Sequence, residues 1–255
     1  MSEPREAAMP PSIEQVRAHE MEEARFIQQA MVAVEPLKAP PVELAVLFRP
    51  VLEVGGDFLD YFWLDDGQLG LYMGDVVGKG LPAALYAALA VGTLRGINKT
   101  GEPPTNVLSL LNARLRTRVV PGRYCAVQYA VVDPKTQKVL FANAGLPHPL
   151  HISADGCKEI GPGGLPSGLF PDACYEPYTA QMAAGDSILF STDGITEARN
   201  PQDEEFGVDR LIEVCAANRC KHADELLAAI AAAVDAFTAG ERQHDDMTAA
   251  LLKFV

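Results

Sequence analysis

The sequence predicts an α+β fold in which two antiparallel β-sheets pack face to face and helices cover the outer faces. Strand-length apolar segments recur from Val42 onward, and turn sequences such as DDG and DPKTQ join neighbouring segments as hairpins. Several of these segments are apolar on both alternating faces, so both faces of each sheet must be covered. A sandwich flanked by helices meets that requirement better than an open, half-exposed sheet.

The N-terminal part of the chain predicts an amphipathic helix that is set apart from the rest. Apolar side chains recur among many charges between Ser12 and Met31, and Ser12 is a candidate N-cap. Pro36, Pro40 and Pro41 then end the helix. We divide the chain into a disordered tail (1–11), a linker or switch helix (12–41) and one domain (42–255). The sequence leaves open whether this helix packs on its own domain or makes a dimer or a switch.

The strands and helices of the domain follow from local patterns. The predicted strands are VELAVLFRP, FLDYFWL, QLGLYMGDV, YCAVQYAVV, KVLFANAG, PLHIS, SILFSTDG and MTAALLKF. Pro82 lies in the first turn of GLPAALYAALAVGTLRG, a helix so apolar that it must be buried on more than one side. Thr105 is a candidate cap of the helix TNVLSLLNARLRTRVV. Two later helices are VDRLIEVCAANRC and HADELLAAIAAAVDAF, the second closed by Gly240.

The composition restricts the classes of function. The net charge is −13 and the pI is near 4.8, which argues against the clustered basic side chains that bind nucleic acid or anionic membranes. No apolar run reaches the roughly 18 residues of a membrane helix. Five cysteines without a CxxC pair fit neither a disulfide framework nor a cysteine-ligated zinc site. We expect a cytoplasmic protein with no nucleic-acid or membrane partner.

Acidic side chains stand at the ends of four predicted strands. Asp57 precedes FLDYFWL, Asp75 ends QLGLYMGDV, Asp193 follows SILFST, and Asp245 and Asp246 precede MTAALLKF. A single aspartate at such a place is usually a turn former or a helix cap. Four together indicate a shared role, because clustered carboxylates repel one another unless cations neutralise them. Ligand sets made only of oxygen suit Mg²⁺ or Mn²⁺.

Two such cations favour the hydrolysis of a phosphate ester. At a separation of about 3.5–4 Å they lower the pKa of a bridging water and neutralise a phosphoryl group. No protein nucleophile is then needed, and the sequence contains no Cys-x5-Arg loop. GDVVGKG is not a GxxxxGK[ST] phosphate loop, because its glycines are too close and no hydroxyl residue follows the lysine. GKGLPA has the outline of a dinucleotide fingerprint but lacks the βαβ context.

Five segments in order carry a family resemblance: EVGGDFLDYF, GDVVGKGLPAALYAAL, FANAGLPHPL, AAGDSILFSTDGITEARNPQDEEFG and DDMTAALLKF. They resemble the PPM-type metal-dependent serine/threonine phosphatases of the bacterial SpoIIE and RsbU kind, from about Val42 to Val255. The resemblance implies an αββα four-layer sandwich, preceded by the linker helix, with a centre of two Mn²⁺ or Mg²⁺ ions at one end. It also implies a phosphoserine or phosphothreonine substrate on a regulatory protein, typically a STAS-type anti-sigma-factor antagonist.

The same resemblance implies the site residues. Asp57, Asp75, Asp193 and Asp245 would be catalytic metal ligands, Val76 would add its carbonyl, and Asp246 is the alternative to Asp245. Asp75 is expected to bridge both ions. Two departures from the family pattern affect substrate contacts rather than ligands: Lys79 stands where His is frequent, and His148 is displaced by two residues from the usual position. We expect an exposed loop lysine and a structural turn histidine there.

Two other functions fit the same residues. One is a catalytically silent regulatory binding domain of the same fold, and the other is a two-metal phosphodiesterase. The amphipathic helix also allows a homodimer.

Overall fold

A computed structural model of the protein describes residues 12–97 and 101–255. The elements are α1 (Ile13–Met31), β1 (Leu37–Ala39), β2 (Val42–Arg49), β3 (Phe58–Trp63), β4 (Leu69–Val76), α2 (Leu81–Ile97), α3 (Pro104–Thr117), β5 (Cys125–Asp133), β6 (Lys138–Ala144), β7 (Leu150–Ser153), β8 (Gly156–Glu159), β9 (Pro177–Gln181), β10 (Ser187–Ser191), α4 (Gly207–Ala217), α5 (Ala223–Thr238) and β11 (Met247–Phe254). The predicted disordered tail (1–11) lies outside the described residues. Within the described residues, no helix combines the length and the apolarity needed to cross a membrane.

The strands form two antiparallel sheets. The six-stranded sheet has the order β1-β2-β11-β10-β7-β8, and the five-stranded sheet has the order β3-β4-β5-β6-β9. β3 and β4 form one hairpin, and β10 pairs with β11 in the other sheet. The predicted antiparallel sandwich is therefore confirmed.

Three hydrophobic clusters hold together four layers, which are two sheets and a pair of helices on the outer face of each. The central cluster lies between the sheets and contains Leu44, Leu71, Phe141, Phe190 and Phe254, each at most 2% exposed. A second cluster packs α2 and α3 against the outer face of the five-stranded sheet. A third packs α4 and α5 against the outer face of the six-stranded sheet. Strands that are apolar on both faces follow directly from this arrangement, because each sheet is buried between two layers.

α1 begins as the sequence predicts. The Ser12 hydroxyl accepts a hydrogen bond from the Gln15 amide, and the Gln15 side chain accepts one from the Ser12 amide, which completes a capping box. Most of the helix is exposed, and Gln28 is its one buried side chain among residues 13–31. Val32, just after the helix, packs into the central cluster.

Three short strands and one cap differ from the sequence-based expectations. The sequence pattern does not predict β1, β8 and β9, because edge strands of three to five residues carry little periodic signal. β1 pairs with β2, so the six-stranded sheet starts inside the segment predicted as a linker. The prediction of Thr105 as a cap is wrong: α3 starts at Pro104, whose ring fixes φ for the first turn.

Candidate metal centre

The predicted acidic residues lie at one end of the sandwich. Phe58 at the start of β3 pairs with Gly74 near the end of β4, so Asp57 and Asp75 meet at the open end of that hairpin. In the other sheet, Ser191 pairs with Ala249, which brings the chain after β10 to the chain before β11. Asp193 and Asp245 lie in those two segments. The sandwich thus assembles four strand ends that are far apart in sequence.

Asp57 is the most deeply buried of these side chains. It is 1% exposed, and its Oδ2 accepts a hydrogen bond of 2.9 Å from the Thr192 hydroxyl. Burial, and then repulsion from Asp75, raise the pKa of Asp57 well above its usual value. A buried carboxyl that resists ionisation needs a positive partner to become a carboxylate.

Asp75 faces the other acidic residues. Burial raises its pKa to about 7, and repulsion from Asp193, Asp245 and Asp246 adds to that shift. A hydrogen bond with Asp57 partly offsets it. The pKa of Asp193 is also raised, first by burial and then by Asp245. We call Asp57, Asp75, Asp193, Asp245 and Asp246 the acidic group; within it, the negative charge of other members raises the pKa values of Asp57, Asp75 and Asp193.

Asp246 and Asp245 have different environments although they are adjacent. Asp246 is 3% exposed, and its carboxylate accepts hydrogen bonds of 2.7 Å from both Val51 N and Gly56 N. It ties the loop before Asp57 to the start of β11. A side chain at Gly55 would place Cβ 2.1 Å from Asp246 Oδ2, so the close approach requires glycine there.

Asp245 instead lies toward solvent and contacts a lysine. Its Oδ2 is 3.0 Å from Lys79 Nζ, and Lys79 also donates to the His244 carbonyl. The two side chains are 36% and 43% exposed. Lys79 also lowers the pKa of Asp193, against the larger effects that raise it. The predicted loop lysine is thus the counter-ion of a candidate ligand.

The donor chemistry fits a hard divalent cation, but the ligand geometry is not preformed. All candidate donors are oxygens, and the Val76 carbonyl lies beside Gly56 close to the Asp75 side chain. Nevertheless, no group of three or more His, Cys, Asp or Glu side chains within residues 12–97 and 101–255 is arranged to hold a metal ion as it stands. Both carboxylate oxygens of Asp246 accept hydrogen bonds from backbone amides, and Asp245 is paired with Lys79. Side chains would therefore have to move locally before these residues could bind a cation.

The family model described as Stage II sporulation protein E (SpoIIE) matches residues 65–255. The chain belongs to the SpoIIE family. The predicted resemblance to PPM-type phosphatases of the SpoIIE and RsbU kind is therefore confirmed. The match includes Asp75, Asp193 and Asp245, whereas Asp57 precedes it.

Relatives of this SpoIIE-family chain have low sequence identity to it but align over most of its length. It is 26% identical to Protein IcfG of Synechocystis over 90% of its own length, and 25% identical to Phosphoserine phosphatase RsbU of Bacillus subtilis over 84%. The chain spans 40% and 64% of the lengths of these two proteins. The solved SiaA-PP2C domain of Pseudomonas aeruginosa superposes with a TM-score of 0.84 at 20% identity, covering 95% of this chain and 98% of that one. This likeness confirms the αββα fold.

Some contacts around the centre of this SpoIIE-family chain had no signal in the sequence. Gln28 of α1 accepts from Gly55 N at 3.0 Å and donates to Gly55 O at 2.7 Å. Arg123 Nη1 donates to Val77 O at 2.5 Å, in the loop after Asp75. Gln28 and Arg123 give no signal in the sequence, because their hydrogen-bond partners are 27 and 46 residues away along the chain. His148 Nδ1 lies 3.0 Å from the Gly161 carbonyl oxygen.

A large cavity of about 1100 Å³ lies elsewhere. It is lined by residues at the end of β3, in the turn before β4 and in α2, such as Trp63, Gln68 and Arg95. Asp57 and Asp75 lie at the other ends of these two strands. The acidic group therefore does not line this cavity.

Proposed function

We propose that the chain is a metal-dependent protein phosphatase that hydrolyses phosphoserine or phosphothreonine on a regulatory protein. The observation that carries the proposal is the gathering of Asp57, Asp75, Asp193 and Asp245 at one end of a SpoIIE-family sandwich, where burial and repulsion from neighbouring aspartates raise the pKa values of Asp57, Asp75 and Asp193. The name of the relative RsbU, a phosphoserine phosphatase, supports the substrate class.

In this proposal the four aspartates and the Val76 carbonyl would hold two Mn²⁺ or Mg²⁺ ions. When bound, two such ions supply an activated water and neutralise the phosphoryl group. Asp245 is the better candidate ligand than Asp246, because both oxygens of Asp246 accept backbone hydrogen bonds. Asp246 instead holds the loop that presents Asp57, and Thr192 orients the Asp57 carboxyl.

The proposed partner is a phosphorylated STAS-type regulatory protein, as the family resemblance implies. α1 is the proposed dimerisation element, because it exposes Ile13, Phe26 and Ile27 by 60–75%. Apolar side chains this exposed on one helix are typical of a surface that another chain covers. The proposed location is the cytoplasm, which fits five free thiols.

One observation favours a second candidate, the catalytically silent regulatory domain. Among the described residues, no three His, Cys, Asp or Glu side chains are already arranged to bind a metal ion. A regulatory domain that does not catalyse hydrolysis would not need such an arrangement. The two candidates differ in whether Asp193 is needed for hydrolysis.

Hydrolysis of a generic phosphate ester and of a phosphoserine protein, with and without Mn²⁺, tests the proposal. We expect activity that requires Mn²⁺, is abolished by Asp193→Ala and survives in the matched control Asp224→Ala, whose carboxylate pairs with Lys38 instead. Absence of activity in folded protein at every metal concentration would favour the silent domain. Faster hydrolysis of a nucleotide diester than of the phosphoprotein would indicate a phosphodiesterase.

A further inference from the structure

Lys79 lies in a glycine-flanked turn and contacts one member of the acidic group, Asp245. It lies between Gly78 and Gly80, whose φ angles of +94° and +67° are in the left-handed region. A side chain at Gly78 would also meet the Arg123 guanidinium at 2.3 Å. The left-handed backbone of the turn between β4 and α2 therefore favours glycine on both sides of the lysine.

The Lys79 ammonium forms an ion pair with Asp245, although the lysine is partly exposed to solvent. The Nζ–Oδ2 distance is 3.0 Å, and the His244 carbonyl is a second acceptor. Among residues 12–97 and 101–255, this is the one ion pair that involves an aspartate of the acidic group. Arg123 lies beside the same loop, but it donates to the Val77 carbonyl and forms no ion pair with these aspartates.

The Asp245 carboxylate cannot bind a divalent cation and keep its close contact with the Lys79 ammonium at the same time. A carboxylate that binds Mg²⁺ approaches it to about 2.0–2.1 Å, and the doubly charged ion then repels a lysine in contact with the same carboxylate. We propose that Lys79 is a built-in competitor for a divalent cation: its ammonium neutralises Asp245 and must leave before that carboxylate can become a metal ligand. This inference rests on the proposed metal centre and adds a control on its occupancy.

Calorimetric titration with Mn²⁺ tests the competition directly. Lys79→Gln removes the ammonium from a half-exposed side chain, so the variant should fold, which thermal unfolding checks. We expect Lys79→Gln to bind Mn²⁺ roughly three- to tenfold more tightly than the wild type. Arg123→Gln is the matched control, because it removes a positive charge beside the same loop that is not paired with a candidate ligand. We expect it to change the affinity by less than about twofold.

A second measurement follows the lysine itself. Acetylation of Lys79 by an amine-reactive ester, quantified by peptide mass spectrometry, should speed up severalfold when Mg²⁺ is added. Asp245→Asn should speed it up without Mg²⁺ and abolish the further effect of Mg²⁺. Lys38 pairs with Asp224 at 3.2 Å, and its strand register places it at the end of the six-stranded sheet opposite Asp245. It is the internal control and should react equally in all samples.

The outcomes separate this inference from the proposed function. Equal Mn²⁺ affinity in wild type and Lys79→Gln, or an equal gain in Arg123→Gln, would overturn the competition but leave the metal centre intact. Binding in Lys79→Gln alone would support the inference strongly. Binding in neither protein would overturn both proposals.

Discussion

Asp245 and Asp246 are adjacent in the chain, but their carboxylates have opposite surroundings. Asp246 is buried and accepts hydrogen bonds from the amides of Val51 and Gly56, whereas Asp245 is 36% exposed and contacts Lys79. Hydrogen bonds to a buried carboxylate stabilise the fold, and an exposed ion pair adds little. At the residue scale, Asp246 is held by backbone amides, whereas the ion-pair partner of Asp245 is a half-exposed lysine.

Asp246→Ala is expected to destabilise the protein by about 3 kcal/mol, because it leaves two amide donors without their acceptor. Asp245→Ala should change the free energy of unfolding by less than about 1 kcal/mol, while it weakens Mn²⁺ binding. Urea unfolding and calorimetry on both variants measure these effects. A larger loss of stability in Asp245→Ala than in Asp246→Ala would contradict the assignment.

The raised pKa values predict how stability depends on pH. Asp57 and Asp75 bind a proton more tightly in the folded than in the unfolded chain, so their favourable contribution is complete below about pH 4. It is lost as the pH rises through the folded pKa, which is about 7 for Asp75. With EDTA present, the free energy of unfolding should fall by on the order of 2 kcal/mol between pH 5 and pH 8.

Asp75→Asn should flatten this profile, because the amide does not titrate. Urea unfolding at the two pH values measures the difference. A wild-type profile as flat as that of the variant would show that the carboxyls are not coupled in the way described.

At the element scale, α1 is joined to the domain by few but specific contacts. Its capping box fixes the start, and the Arg95 guanidinium donates to the Met31 carbonyl at its end. Between them, Gln28 makes two hydrogen bonds with the backbone of Gly55, two residues before Asp57. The helix therefore contacts the loop that leads to a candidate ligand.

Gln28→Ala should weaken the docking of α1, because both hydrogen bonds to Gly55 are lost in a buried place. The expected cost is about 1–3 kcal/mol, seen as faster amide exchange in α1 and at Gly55. The exposed neighbour offers a matched control, Gln29→Ala, which should exchange like the wild type. Equal exchange in both variants would mean that Gln28 does not hold the helix.

At the scale of the whole molecule, the central cluster fixes how the two sheets face each other. The acidic group draws on both sheets: Asp57 and Asp75 come from one, and Asp193 and Asp245 come from the other. The hydrogen bond from Thr192 to Asp57 crosses directly between them. The packing of the sandwich thus sets the distances among the candidate ligands.

Leu71→Ala should cost about 2–5 kcal/mol, because Leu71 is 2% exposed between the sheets and its loss leaves a cavity. Leu85→Ala is the matched control, since Leu85 is 65% exposed and should change the stability by less than about 0.5 kcal/mol. Thermal unfolding compares the two variants. A cost below about 1 kcal/mol for Leu71→Ala would contradict the tight packing of the cluster.

The local signals in the sequence were sufficient for much of the fold. Alternating apolar residues predicted the long strands, and Ser12 predicted the start of α1. β1, β8 and β9 were missed because their pairing partners, rather than their own residues, determine them. The strand-end positions of Asp57, Asp75, Asp193 and Asp245 were also visible in the sequence, since apolar periodicity marks where a strand stops.

By itself, the sequence determined the antiparallel sandwich, the acidic strand ends and the family resemblance, because each depends on local periodicity or on short motifs. Only the tertiary structure decided the separate environments of Asp245 and Asp246, the contact of Lys79 with Asp245 and that of Gln28 with Gly55. These contacts join residues between 27 and 195 positions apart. Such contacts are set by how the layers pack, and no pattern in a single segment records them.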